Sequence, residues 1–389
     1  MLFTFSGGSG HFLPTVPFAR ALVDRGHDVL YTCQDAMVGT VEAEGWRVEP
    51  SGGATLLTPG QRRPLVPVDR VAEERAVRRS FAGRIAAVRV PPLLAIAERW
   101  RPDLIVRDEM DFAGAVAAER LGLPHAAVVV IAAGGFVRPD VVGEPLARLR
   151  GDHGLDPDEA VTMLHRYLSI VAAPPSYRDP RDPLPATAHH VRPAVLDADR
   201  GQRRAARPVP PRARPQVYFT LGTVFPQESG DLFARVLAGI SSLPVDVLVT
   251  VGDEIGPAEL GNQPPNVRIE RFLPLADVLA ESDVVVSHGG SGTVVAALAL
   301  GLPQVLLPMG ADQPLNADRC TELGIAVALD AMTSTATEIA EATCMVLSDP
   351  SYRANVTPLR EEAASLPDAA HAASLLDRLA WSRSPVTTD

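Results

Sequence analysis

The chain has 389 residues, 46% of them hydrophobic and 21% charged, with a formal net charge of −11; this length exceeds what one hydrophobic core keeps filling, so two domains are expected. The acidic balance argues against a nucleic-acid partner, which selects basic faces. All 36 basic residues are arginine, which excludes lysine Schiff-base chemistry and a Walker-type phosphate loop.

Cys33, Cys320 and Cys344 are far apart and form no C-x-x-C pattern. A disulfide framework or a cysteine zinc site is therefore not expected, and all three read as buried packing residues. No uninterrupted apolar run of membrane-spanning length occurs, and Met1 leads straight into a strand and a glycine loop without a basic n-region. No membrane span and no secretion are expected, which places the chain in the cytoplasm.

In chain order, a strand is predicted over 2–5, then the turn Ser6-Gly7-Gly8-Ser9-Gly10-His11 and a helix over 13–25, with Pro14 tolerated in its first turn. A strand over 27–33, a helix over 35–44 and a strand over 46–49 follow. Alternation at this pace means a parallel, doubly wound sheet. Residues 51–68 read as a loop, and 71–100 as helical with an interruption at Pro91-Pro92. The arginines at 75, 78, 79, 84 and 89 suit a solvated helix face. A strand over 103–107 ends at Asp108-Glu109-Met110-Asp111, followed by a helix over 113–121, a strand over 125–131 and the small-residue turn Ala132-Ala133-Gly134-Gly135. A helix is predicted over 156–171, and the proline- and arginine-rich stretch 200–215 reads as an interdomain linker.

A second alternation begins with a strand over 216–220 and the turn Leu221-Gly222-Thr223. A helix over 229–242, strands over 245–251 and 266–269, a helix over 274–280 and a strand over 283–287 follow. Helices over 312–323, 335–348, 351–364 and 368–382 close the chain.

Residues 283–316 carry the most chemistry. The apolar run Val284-Val285-Val286 leads into Ser287-His288-Gly289-Gly290-Ser291-Gly292-Thr293, and an alanine- and leucine-rich helix starts at once. A strand, glycine turn and helix in this order aim backbone N–H groups and a positive dipole end at one spot, which suits a phosphate or diphosphate. His288 can donate a hydrogen bond to a phosphate oxygen there. One strand later, Asp312-Gln313 opens a helix with side chains suited to sugar hydroxyls.

His-Gly-Gly-Ser-Gly-Thr followed by Asp-Gln-x-x-Asn-Ala resembles the donor-binding signature of inverting GT-B glycosyltransferases, most closely the actinomycete natural-product enzymes that use nucleotide-activated sugars. The resemblance implies two facing Rossmann-like domains with a cleft between them: 1–199 for the acceptor, 216–367 for the donor, and a final helix in 368–389 crossing back to the first domain. Open parallel sheets bind ligands beyond the carboxyl ends of their strands, so Gly10, His11, Asp108, Thr223 and His288 are expected to meet in that cleft.

His11 lies in the first strand-to-helix turn, where an imidazole suits proton transfer near neutrality, and Gly-His-x-x-Pro matches the family's general base. Asp108 matches the aspartate that orients that base, although a helix N-cap is its bland alternative and Glu109 and Asp111 compete for the role. Donor contacts are expected from Thr223, His288, Gly289, Gly290, Ser291, Gly292 and Thr293, with helix capping by Ser291 as a compatible alternative. Phe272 falls where the family stacks an aromatic on the nucleotide base, with core packing as its rival. Leu275 departs from the family's usual glutamine. Asp312, Gln313 and Asn316 are the expected sugar contacts. Gly10, Phe12 and Gly134 border the acceptor, and the resemblance implies that residues 51–100 with 134–140 hold it, the alternative to a solvated face for the arginines at 75, 78, 79, 84 and 89.

No metal and no resident cofactor are expected: Asp197-Ala-Asp199 sits in the linker region, and neither glycine turn completes a dinucleotide fingerprint. His153, His165, His189 and His190 lack ligand spacing and read as surface residues. The partners implied are a small-molecule donor and acceptor, with homodimer formation left open. The expected reaction moves a deoxysugar from a nucleoside diphosphate to a hydroxyl. A nucleotide-sugar epimerase and a non-catalytic nucleotide-sugar-binding auxiliary protein are the rival readings.

Overall fold

The computed structural model describes residues 1–53, 55, 63–197, 213–222, 225–252 and 255–388. Most of the expected linker, and Thr223, lie outside the described residues.

Two wholly parallel sheets form the framework. The first orders its strands β3-β2-β1-β4-β5-β6-β7, comprising β1 (Leu2–Thr4), β2 (Leu30–Cys33), β3 (Val48–Pro50), β4 (Ile105–Asp108), β5 (His125–Val129), β6 (Leu168–Val171) and β7 (Ala188–His190). The second orders them β10-β9-β8-β11-β12-β13, comprising β8 (Gln216–Thr220), β9 (Asp246–Thr250), β10 (Val267–Glu270), β11 (Val284–Ser287), β12 (Gln304–Leu306) and β13 (Ala326–Ala328). Each central strand is apolar and buried on both faces, as crossover helices require. Phe3 aligns with Tyr31 on one side and Val106 on the other, and Val286 aligns with Phe219 and Val305.

In each sheet the chain builds outward in one direction and then reverses. The reversals fall between β1 and β4 and between β8 and β11. Such a reversal opens a crevice at the carboxyl ends of the two strands, where no crossover loop covers them. His11 and Asp108 sit at the first crevice, and Gly222 and His288 at the second.

Several expectations need correction. Residues 156–171 do not form one helix. A 3-10 turn at Thr162–His165 leads into β6, whose residues are all buried. β6 pairs with β5 and β7; a buried apolar strand carries no alternation to separate it from a helix. The helix Glu144–Asp152 and strands β7 and β13 carried too little local pattern to be predicted.

Pro91-Pro92 does not interrupt its helix, which runs unbroken from Ala86 to Trp100 after a π-helical stretch at Val77–Ile85. The carbonyls that lose partners to the two prolines belong to Ala87 and Val88, both on the exposed side where water can meet them. Arg70–Trp100 is long and apolar enough to cross a membrane by length and composition. Its Val77, Ala82, Ala86 and Val90 nevertheless lie in a core with Phe112, Ala113 and Val116.

Cys344 is exposed, while Cys33 and Cys320 are buried. The histidines at 153, 165, 189 and 190 are half-buried rather than free on the surface; His190 Nδ1, for example, lies 2.8 Å from the Ala173 carbonyl oxygen.

The last helix, Ala369–Ser382, inserts Ala372, Ala373, Leu376 and Leu379 into the first domain's core beside Phe18 and Leu22. Asp377 secures it, with a carboxylate oxygen 2.6 Å from Arg25 and the other 2.6 Å from His27.

Candidate active site

The turn after β1 brings His11 over the end of β4, where Nδ1 stands 3.4 Å from Oδ1 of the fully buried Asp108. That carboxylate is held from both ends. Oδ2 accepts the Ser6 amide at 2.7 Å and Oδ1 accepts the Met110 amide at 2.6 Å. The imidazole stacks on Phe81, ring centres 5.7 Å apart. Beneath it lies Gly7 at φ +130, where a Cβ would stand 2.4 Å from the imidazole Cδ2, so the ring needs a glycine there. Burial alone would lower the imidazole pKa. Asp108, with Asp312 and Glu109 further off, outweighs it and holds the value above the ordinary 6.5.

The neighbouring acids, rivals in the sequence, have separate tasks. Glu109 accepts the amides of Val130 and Ile131, and burial pushes its carboxyl up to about 7 despite Arg178 and those two amides. Asp111 accepts the Gly114 amide at 3.2 Å as a helix cap and faces Arg89 at 2.9 Å. Only Asp108 among these three bonds His11. Arg89 is fully buried, unlike the solvated arginine expected at that position.

In the second crevice the helix Ser291–Leu300 starts at Gly290, which supplies no side-chain cap, and Gly292 is exposed at its first turn. His288 is buried behind it, with Nδ1 lacking a hydrogen-bond partner among the described residues. Burial pushes this imidazole down to about 4, only partly offset by the Thr220 carbonyl, so it is neutral at physiological pH. Gly222, at φ +73, leaves the space the ring occupies, since a Cβ there would lie 2.8 Å from its Cε1.

Ser291 does not cap the helix. Its Oγ donates to Asp312 Oδ2 at 2.6 Å. Asn316 is fully buried and bonds internally. Its Nδ2 donates to the Gly289 carbonyl and to Asp312 Oδ2, both at 2.9 Å, and lies 3.1 Å from Ser291 Oγ, so it acts on the site through these groups. Gln313 Oε1 accepts the Met309 amide at 2.7 Å, and its buried Nε2 has no partner among the described residues. Phe272 is 70% exposed, which removes core packing as the reason for its aromatic ring.

The two crevices face each other across a bonded seam. The Ala132 amide donates to Ser291 Oγ at 2.9 Å, and Tyr177 donates to Asn316 Oδ1 at 3.0 Å. Arg70 clasps Asp318 at 2.6 and 2.9 Å, and the Ala311 amide bonds Glu73, whose carboxyl burial raises. Val129, Ala133 and Tyr177 share one apolar cluster with Val294, Leu298 and Cys320, which makes the seam a core rather than a wet contact.

Among the expected acceptor residues, Gly10 is exposed with open space around it. Phe12 is fully buried against Phe5 and Tyr31, and so cannot line an acceptor site. Gly134 is buried. Glu73, Phe81 and Arg89 lie in the stretch 51–100 expected to hold the acceptor, but the sequence singles out none of the three for the role it has here. Their helix is remote in sequence from both crevices, and no local pattern marks which of its faces is turned inward.

Residues 72–204 match the family model of the erythromycin biosynthesis protein CIII-like N-terminal domain, and residues 234–379 that of its C-terminal domain. The elloramycin glycosyltransferase ElmGT of Streptomyces olivaceus is 31% identical, and the L-demethylnoviosyl transferase of Streptomyces niveus 30% identical, each alignment covering 94% of this chain and 94% of the relative. The spinosyn rhamnosyltransferase SpnG, solved with thymidine diphosphate, superposes with a TM-score of 0.79 over 97% of this chain and 99% of its own, at 24% identity. The chain is a GT-B glycosyltransferase and belongs to the erythromycin biosynthesis protein CIII-like family, among the actinomycete antibiotic glycosyltransferases.

Proposed function

We propose that this enzyme transfers a deoxysugar from a thymidine or uridine diphosphate sugar to a hydroxyl of a small natural-product acceptor, with inversion at the anomeric carbon. The observation that carries the reading is the His11–Asp108 pair, a mostly buried imidazole with one edge open, backed at 3.4 Å by a buried and doubly anchored carboxylate. With Nδ1 turned to Asp108, Nε2 is the atom left to take the acceptor proton. Asp108 stabilises the imidazolium that forms. The acceptor oxygen bonds to the anomeric carbon as the bond from that carbon to the diphosphate oxygen breaks.

The departing negative charge falls to the N-terminus of the helix Ser291–Leu300. His288, neutral and with a single N–H, would add a hydrogen bond by turning that proton from the Thr220 carbonyl to the diphosphate. These groups supply the stabilisation without a metal or a resident cofactor. Phe272 would stack on the base, while Asp312 and the Nε2 of Gln313, unpartnered among the described residues, would hold sugar hydroxyls. Relatives named as an L-demethylnoviosyl transferase, a 10-deoxymethynolide desosaminyltransferase and an erythronolide mycarosyltransferase support the choice of substrate class.

The test is product analysis from a panel of thymidine and uridine diphosphate sugars with polyketide and aromatic acceptors in the presence of a chelator. Mass spectrometry should show acceptor plus sugar, and anomeric proton couplings should show inversion. Retained configuration, a strict divalent-metal requirement, or donor conversion without an acceptor would contradict the reading.

A further inference from the structure

Arg89 lies on the helix Ala86–Trp100 and is fully buried. A charged side chain is rarely buried this completely unless its donors are met. Nε donates to Ser51 Oγ at 3.0 Å and Nη2 to Thr4 Oγ1 at 2.9 Å. Nη1 donates to Ser6 Oγ and stands 2.9 Å from Asp111 Oδ2. These partners come from β1, the turn after it, the segment after β3 and the turn after β4. One planar fork therefore ties together three strand ends at the floor of the first crevice, a task suited to guanidinium geometry.

The partners are themselves fixed. Thr4 Oγ1 donates to Asp111 Oδ2 at 2.5 Å, and Ser51 Oγ donates to the Cys33 carbonyl at 3.2 Å. Ser6 is the link to the chemistry. Arg89 holds its hydroxyl, and its amide donates to Asp108 Oδ2 at 2.7 Å. Rotation of the Ser6 peptide would release that oxygen and let the carboxylate turn away from His11.

We propose that Arg89 is a positioning residue for the general base, acting through Ser6 and Asp108 without touching His11 or the substrate. The inference rests on the reading of His11 as that base. The charged groups facing His11 are Asp108, Glu109 and Asp312; Arg89 faces the charged Asp111 at 2.9 Å and, near it, the Cys33 thiol, which burial pushes up to about 12 and keeps neutral. The hydrogen-bonded path between the two sets runs from Arg89 to the Ser6 hydroxyl and from the Ser6 amide to Asp108.

Two charge-balanced variants of the full chain test it. R89K keeps the charge but cannot bridge four partners, and R89M with D111N removes the ion pair as a neutral unit. His11 is followed by imidazole NMR titration, donor-site integrity by calorimetry with thymidine diphosphate, and folding by thermal melting. In both variants His11 should titrate about one unit lower, as its hold on the Asp108 carboxylate loosens. Turnover should fall roughly 10- to 100-fold, with thymidine diphosphate affinity unchanged. D111N alone, which leaves Arg89 on Ser6, should titrate like the parent.

His11 titrating as in the parent in the folded variants overturns the proposal, as does a loss of thymidine diphosphate affinity in step with turnover, which would mark Arg89 as general fold support. If R89K fails to fold, the double variant decides by the same readings. Full activity in H11A would instead sink the base assignment, and the NMR titration, which needs no turnover, would still judge Arg89.

Discussion

The Ala132 amide and the Ser291 hydroxyl, from opposite sheets, meet at 2.9 Å, and the same hydroxyl donates to Asp312 at 2.6 Å. One side chain thus sets both the closure of the cleft and the orientation of an expected sugar contact. Ser291→Ala should leave an amide and a carboxylate oxygen short of a partner. Donor KM should rise by a factor matching about 1–2 kcal/mol, with a comparable loss of stability. Donor saturation kinetics and thermal melting check this, and an unchanged donor KM would separate closure from donor binding.

His11→Ala should lower kcat about 10²- to 10⁴-fold while leaving thymidine diphosphate binding intact. Asp108→Asn should lose a large share of the same factor, because the amide cannot stabilise an imidazolium. Single-turnover rates beside calorimetric affinities distinguish lost chemistry from lost binding.

The pH dependence has a definite sign. His11 must be neutral to accept a proton, and burial, which alone would lower its pKa, is outweighed by Asp108 so that the value stands above 6.5. Activity should therefore rise with pH along a limb centred above that value. In Asp108→Asn the limb should move to lower pH, since burial is then opposed less. A limb that stays in place in this variant would mean that another group titrates.

His288 should behave differently. With its imidazole pushed down to about 4 by burial, it stays neutral, and donor affinity should show no step from this group between about pH 5.5 and 8. His288→Ala should weaken thymidine diphosphate binding by about 1–3 kcal/mol. Isothermal titrations across that pH range test both statements.

Phe272, 70% exposed, supports no core. Phe272→Ala should leave the melting temperature unchanged yet weaken nucleotide binding by about 1 kcal/mol or more, the worth of a base stack. Phe272→Trp should tighten it. Equal affinity in all three proteins would place the base elsewhere.

The amino-acid sequence by itself determined whatever depends on neighbours along the chain. The run from Val284 through the glycine turn to the helix at Ser291 is a local unit, as is the turn that carries His11. The alternation around them dictates two parallel sheets because each crossover needs a helix. The strand at Leu168–Val171 was beyond that reach, since burial on both faces erased its period. So was the order of the sheets, which alone puts His11 beside the end of β4 and His288 beside Gly222. The match to the family points to Asp108 with Glu109 and Asp111 as competitors; only the tertiary structure gave the other two their tasks, because which acid meets two amides or an arginine is set by partners far off in the chain. The same cause turned Arg89 from an apparent surface charge into the floor of the site: a helical residue's solvent exposure is decided by what packs against its face, and here that is the ends of three strands.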